Sequence, residues 1–162
     1  MAVTTTVVAP GFATSVQALT ARWVENGAGT YTAQFVLPAG ATLIDIIVTA
    51  EALWTAATSA ALVVGETGAA NGFIVSTDLK ATDLLVGESI SIGGGVSLAG
   101  GKSGALITVG TNTHVSKRYQ DGGAGEVDYT ITATVTSVGA GTAGRTRITV
   151  LYVSPQSTVI TQ

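Results

Sequence analysis

Hydrophobic and polar residues alternate with a period of two along most of this chain, and that alternation predicts strands rather than helices. In residues 128–137, DYTITATVTS, Tyr129, Ile131, Ala133 and Val135 occupy one face while Thr130, Thr132, Thr134 and Thr136 occupy the other. Residues 145–153, RTRITVLYV, repeat the pattern with Ile148, Val150 and Tyr152 on one side. The longest such run is 41–54, ATLIDIIVTAEALW. Its even-numbered positions, Ile44, Ile46, Val48, Ala50, Ala52 and Trp54, are wholly apolar, whereas Asp45 and Glu51 fall on the other face. This predicts a long central strand whose even face lies in the core.

Shorter segments extend the pattern. TARWVEN (20–26), TYTAQFVLPAG (30–40), AALVVG (60–65), NGFIVSTD (71–78), SISI (89–92), ALITVG (105–110) and THVSKRYQ (113–120) each read as strands bounded by glycine-containing turns. LKATDLLVG (79–87) alone has a helical look, with Asp78 or Thr82 placed to cap a single turn and Gly87 placed to end it. The count of about nine or ten short strands predicts an all-β fold, an antiparallel β-sandwich or a barrel with Gly-rich loops. Its expected core comprises Ile44, Ile46, Val48, Trp54, Tyr129, Ile131, Val135, Ile148 and Val150.

Three regions follow from this reading: an N-terminal arm (1–14), the sandwich domain (15–154) and a C-terminal tail (155–162). The arm carries no charged residue and is rich in Thr and Val up to Pro10-Gly11. A segment of that kind either adds a strand to a sheet or lies across a neighbouring subunit. Val3, Val7, Val8, Pro10 and Phe12 are its candidate contact residues.

Between the last two predicted strands, Gly139, Gly141 and Gly144 fall in the G-x-G-x-x-G spacing of dinucleotide-binding loops. Such glycines hold a pyrophosphate only when a strand leads in and a helix leads out, so that helix N-terminal N–H groups meet the anion. Here a strand leads out. No acidic residue follows about 20 positions on to bind a ribose. The predicted element is therefore a β-hairpin whose turn needs glycine.

Other near-motifs also dissolve on inspection. Gly-Lys-Ser at 101–103 resembles the end of a P-loop, but Val96 stands where that loop needs glycine. His114 is the sole histidine, so a His-metal cluster or a Ser-His-Asp relay has only one residue to rest on. Asp45 and Glu51 share a strand face but lie about 20 Å apart at the strand rise, too far for joint acid-base work. DGGAGEVD (121–128) gathers three carboxylates without the oxygen-ligand spacing of an EF-hand. No catalytic residue, cofactor or metal is predicted.

Composition shifts attention from chemistry to surface. Charged residues make up 10% of the 162 positions and hydrophobic ones 46%, against about a quarter charged in typical soluble domains. So few charges offer little protection against self-association, and much of the outer surface is expected to be covered by copies of the chain or by a partner. A net charge of −3 with only seven Lys and Arg argues against a nucleic-acid partner. The absence of cysteine excludes disulfides and thiolate metal sites. The opening residues lack the basic and apolar regions of a signal peptide and no run of about 18 apolar residues occurs, so no membrane partner is expected. Trp23 or Trp54, if exposed, would suit a carbohydrate-binding sandwich, but alternating aromatics more often fill a core.

Two segments, LPAGATLIDIIVTAEALWTAATSAALVVGETGAANGFIVSTDLKATDLLVGESI (37–90) and VDYTITATVTSVGAGTAGRTRITVLYV (127–153), resemble the capsid decoration, or cement, proteins of tailed bacteriophages. The resemblance covers about half the chain and is one of style rather than of a catalytic signature. It implies a jelly-roll-like sandwich and a homotrimer whose partner is the major capsid protein. It further implies a place on the outer surface of the virion after synthesis in the bacterial cytoplasm. An uncharged terminal arm reaching the shell or a neighbouring trimer would suit that role. In the family the loop corresponding to GETGAANG (65–72) tends to be more acidic; here only Glu66 remains, which speaks against a metal there. A phage tail or fibre-base protein is the alternative structural reading, and a carbohydrate-binding sandwich the alternative of another class.

Overall fold

The computed structural model describes residues 2–8, 15–92 and 128–154. These residues form nine strands: β1 (Ala2–Val8), β2 (Val16–Val24), β3 (Gly29–Leu37), β4 (Thr42–Ala52), β5 (Ser59–Glu66), β6 (Ala69–Asp78), β7 (Ser89–Ser91), β8 (Tyr129–Val138) and β9 (Arg145–Val153). No helix occurs among the described residues. The strands make two sheets, β1-β3-β8-β5-β6 and β2-β9-β4-β7. The fold is all-β, as the alternation predicts.

Pairing is nested. β2 pairs with β9, β3 with β8, β4 with β7 and β5 with β6, all antiparallel, so the chain from β2 to β9 is one long hairpin folded over on itself. The β4–β9 and β5–β8 pairs then join the two halves of each sheet. β1 stands outside this nesting. It runs parallel to β3, from Ala2 opposite Thr30 to Val8 opposite Val36. The parallel direction departs from the antiparallel expectation because β2, in the other sheet, intervenes and returns the chain to the first sheet heading the same way. The arm thus takes the first of its two expected forms, an added strand.

Inward faces of the two sheets meet in a single core. Tyr31, Phe35, Ile131, Val135 and Leu62 come from one sheet and Leu19, Trp23, Ile46, Val48, Ile148 and Val150 from the other, all buried. Alternating burial along β2, β3, β8 and β9 follows the sequence pattern, Tyr129 at the start of β8 excepted. Burying a Val, Leu, Ile or Phe side chain contributes roughly 1.5–3 kcal/mol, so this core supplies most of the drive to fold.

Two expected core residues are corrected. The β4–β9 register passes from Leu43 opposite Tyr152 directly to Asp45 opposite Leu151, which makes Ile44 the extra residue of a β-bulge. The bulge reverses the phase: Leu43 is buried and Ile44 is only half-buried, and the even positions turn inward from Ile46 onward. A second irregularity between Ala50 and Ala52 leaves Ala52 half-buried too. Tyr129, at the start of β8, is half-buried and packs against the core rather than within it. Trp54 lies past the end of β4 yet is buried.

The helical look of 79–87 does not become a helix. Asp78 does cap, accepting from the N–H groups of Lys80 and Thr82 at 3.2 and 3.3 Å, while its own N–H donates to Asp83 Oδ2 at 2.7 Å. Ala81 then takes a left-handed φ of 96°, which no helix interior tolerates. Gly87 closes the excursion with its N–H on the Ala50 carbonyl at 2.8 Å. β2 starts at Val16, earlier than the 20–26 run suggests. The strands expected at 105–110 and 113–120, and the tail at 155–162, lie outside the described residues.

Candidate interaction surfaces and the glycine loop

The glycine-rich loop does hold an anion, and the anion is the chain's own Glu25. Positions Leu19, Ala21, Trp23 and Glu25 share one parity, so the phase of β2 carries Glu25 inward just past the strand's end, where it is buried. Its Oε2 accepts from the N–H of Gly144 at 2.9 Å and of Ala143 at 3.2 Å, and from the N–H and hydroxyl of Thr55 at 2.9 and 2.8 Å. Burial alone would push this carboxyl up. The donors on the anion, led by the Thr55 and Gly144 N–H groups, outweigh that and hold it below the usual carboxylate range.

Backbone bonds reinforce the knot. The Glu25 N–H donates to the Gly144 carbonyl at 2.8 Å, Gly27 to Gly141 at 2.7 Å and Thr58 to Val138 at 2.9 Å. The Tyr31 hydroxyl accepts from the Asn26 N–H at 2.8 Å and donates to the Gly27 carbonyl at 2.7 Å. The β2–β3, β4–β5 and β8–β9 connections are thereby tied together at one end of the sandwich.

Each glycine of the G-x-G-x-x-G spacing has a reason in this knot. Gly139 has a φ of +90°. A Cβ on Gly141 would fall on Glu25 Oε1 and 2.5 Å from the Ala56 nitrogen; one on Gly144 would lie 2.5 Å from Trp54 Cγ and 2.8 Å from its Cα. Gly144→Ala is therefore expected to destabilise the fold by about 1–3 kcal/mol through overpacking against backbone that cannot yield. A melting temperature equal to that of the parent chain would show that the loop has more room than its geometry gives.

The outer faces of the two sheets are the other candidate surfaces. On the outer face of the five-stranded sheet, Thr30, Thr32, Gln34 and Val36 of β3 lie opposite Thr136, Thr134, Thr132 and Thr130 of β8, with Ala61 and Val63 of β5 beyond them. β3 and β8 contain no charged residue at all. β1, equally uncharged, extends this sheet at its β3 edge.

The arginines among the described residues all lie on the other sheet. Arg22 of β2 lies directly opposite Arg147 of β9, and Arg145 is exposed two positions before it. Glu51 of β4 bridges the first two, with Oε2 2.6 Å from Arg22 Nε and Oε1 3.7 Å from Arg147 Nε. Glu51 thus has a local role in an ion-pair cluster, and Asp45 takes a hydrogen bond from the Ser91 hydroxyl, so the two carboxylates of β4 act apart.

Val3, Val7 and Val8 lie on β1 in register with Tyr31, Phe35 and Val36. Pro10, Phe12, the Gly-Lys-Ser at 101–103 and His114 lie outside the described residues, as does all of 121–128 except the exposed Asp128. Trp23 and Trp54 are both buried, so neither offers a stacking platform for a sugar. Among the described residues no group of three His, Cys, Asp or Glu is arranged to hold a metal ion, and no helix is long and apolar enough to cross a membrane. Glu25 went unremarked in the sequence pattern, although its parity with Trp23 is the signal that places it inside. No family model, curated protein or solved structure matches this chain.

Proposed function

We propose that this chain is a structural virion protein, a capsid decoration or cement protein of a tailed bacteriophage, which binds the outside of the head as a homotrimer. In this reading it stabilises the shell by bridging neighbouring copies of the major capsid protein. The observation that carries the reading is the uncharged outer surface of β3 and β8, prolonged by the uncharged added strand β1. A face of threonine methyls and hydroxyls with no ion to desolvate is suited to burial against another protein. Many identical contacts of modest strength, repeated over a shell, sum through avidity and need no turnover.

The nested pairing of β2 to β9 supports a jelly roll, the double-sheet arrangement found in viral capsid and lectin domains. Fold alone does not choose between those uses. Burial of both tryptophans weighs against the lectin side, and the likeness of 37–90 and 127–153 to phage decoration proteins weighs for the virion side.

Light scattering on a sizing column tests the assembly, with three times the chain mass expected and a soluble monomer overturning the trimer. Deleting residues 1–13 is expected to abolish binding to shells of the virus that encodes the protein. The truncated chain should still fold, because no pair within β2 to β9 uses β1. Shell binding by the truncated protein at full affinity would remove the arm from the mechanism.

A further inference from the structure

We propose that the corner of the four-stranded sheet formed by Arg22, Arg145 and Arg147 is a docking site for a carboxylate-bearing segment of a partner protein. The inference deepens the reading of this chain as a protein that docks on another. Arg22 and Arg147 are direct cross-strand partners, a juxtaposition of like charges that destabilises a sheet and that the single carboxylate of Glu51 offsets only in part. Arg145 projects on the same side of β9, about 7 Å along the strand.

Among the described residues one carboxylate serves two of the three. Glu51 engages the Nε of Arg22 and of Arg147, and Arg145 has no ion-pair partner among the described residues. Three guanidiniums and one carboxylate among the described residues leave a local surplus of positive charge on a chain whose net charge is −3. Among the described residues the only other Lys or Arg is Lys80, so the cations are concentrated rather than scattered. The side chains of Arg22 and Arg147 are 52% and 50% exposed, which leaves their terminal nitrogens open to an incoming anion.

Guanidinium geometry matches a planar carboxylate through two parallel hydrogen bonds, a match lysine does not offer. The corner spans only two strands and two steps along one of them, enough for one or two anionic groups. A nucleic-acid backbone needs a longer track of cations and would meet the negative charge of the rest of the chain. Acidic side chains of a protein surface fit better, and the corner would fix the register of docking while the neutral face supplies contact area.

Titration of the isolated, isotope-labelled protein with a hexaglutamate peptide at low salt tests the site by NMR. Saturable shifts are expected around Arg22, Glu51, Arg145 and Arg147, with affinity falling several-fold as salt rises towards about 0.2 M and screening shortens. The double variant Arg145→Gln, Arg147→Gln should lose about tenfold or more in affinity without a change in melting temperature. Glu51→Gln removes the competing carboxylate and should bind the peptide more tightly, a gain that a merely structural ion pair would not give. Absence of saturable shifts, or shifts that survive the double variant, overturns the site. Tighter binding of a hexathymidylate than of the peptide overturns the assignment to carboxylates. These measurements need no shell, so their failure is separate from a failure of the wild-type protein to bind one.

Discussion

Glu25→Ala is expected to lower stability by roughly 3 kcal/mol, since hydrogen bonds to a charged group contribute about 1.5–3 kcal/mol net and stranded buried donors add to the loss. For a domain of this size that corresponds to a fall of about 6–12 °C in melting temperature. The substitution strips the acceptor from Thr55, Ala143 and Gly144 together, so the three connections at one end of the sandwich lose their common anchor. Glu25→Gln keeps the shape and removes the charge, and is expected to recover only part of the loss. The pH dependence follows from linkage. A carboxyl whose folded pKa lies below its unfolded value, about 4.3, stabilises fully above that value. The contribution is lost as pH falls through the folded pKa. The gap in stability between the parent chain and Glu25→Gln should therefore narrow in acid. A gap independent of pH between neutrality and the acid limit would show that the charge on Glu25 contributes nothing.

The second large effect is expected at Trp54, where substitution by alanine should cost about 3–5 kcal/mol, the range for deleting a buried large aromatic. Three contacts set Trp54 apart from an ordinary core residue. Its indole N–H donates to Thr146 Oγ1 at 2.8 Å, its ring meets Tyr31 edge to face at 5.1 Å, and its backbone N–H donates to the Leu79 carbonyl at 3.0 Å. Trp54→Phe keeps most of the ring burial and leaves the Thr146 hydroxyl unpaired, so it should cost less than half as much. Thermal melts of the two variants give the comparison. An unchanged melting temperature in Trp54→Ala would place that side chain outside the core.

Strand content was legible because β2, β3, β8 and β9 each have one dry and one wet face, and period-two alternation reports that directly. The even phase of β4 was legible from Ile46 to Ala50 but not at its start, because a bulge adds one residue without any local mark in the sequence: Leu43 and Ile44 are both apolar, and only pairing with Tyr152 and Leu151 decides which turns inward. Asp78 and Gly87 read correctly as turn-forming residues, while the left-handed Ala81 that turns the chain away from a helix carries no signal in composition. The glycine loop shows the same division. Its neighbours identify a hairpin, but the reason for Gly141 and Gly144 lies with Glu25 and Trp54, about a hundred positions away in sequence, where only tertiary structure brings them into contact. The pairing of Arg22 with Arg147 is equally invisible before the strand order is known.

Nesting of the strands has a consequence in time. Only β5 and β6 are neighbours in both sequence and space within the nested set; every outer pair encloses the one inside it, ending with Val16 opposite Val153. Contacts of such separation carry a large loop-closure cost and form slowly. β9 is also an interior strand, flanked by β2 and β4, so β2 is not joined to the rest of the four-stranded sheet until it arrives. During synthesis the chain therefore remains without one complete sheet until residue 153 has left the ribosome. Over that interval the apolar face of β4 has no partner strand at its β9 edge, and crowded expression or slowed translation between β4 and β9 should raise aggregation more than the same slowing before β4.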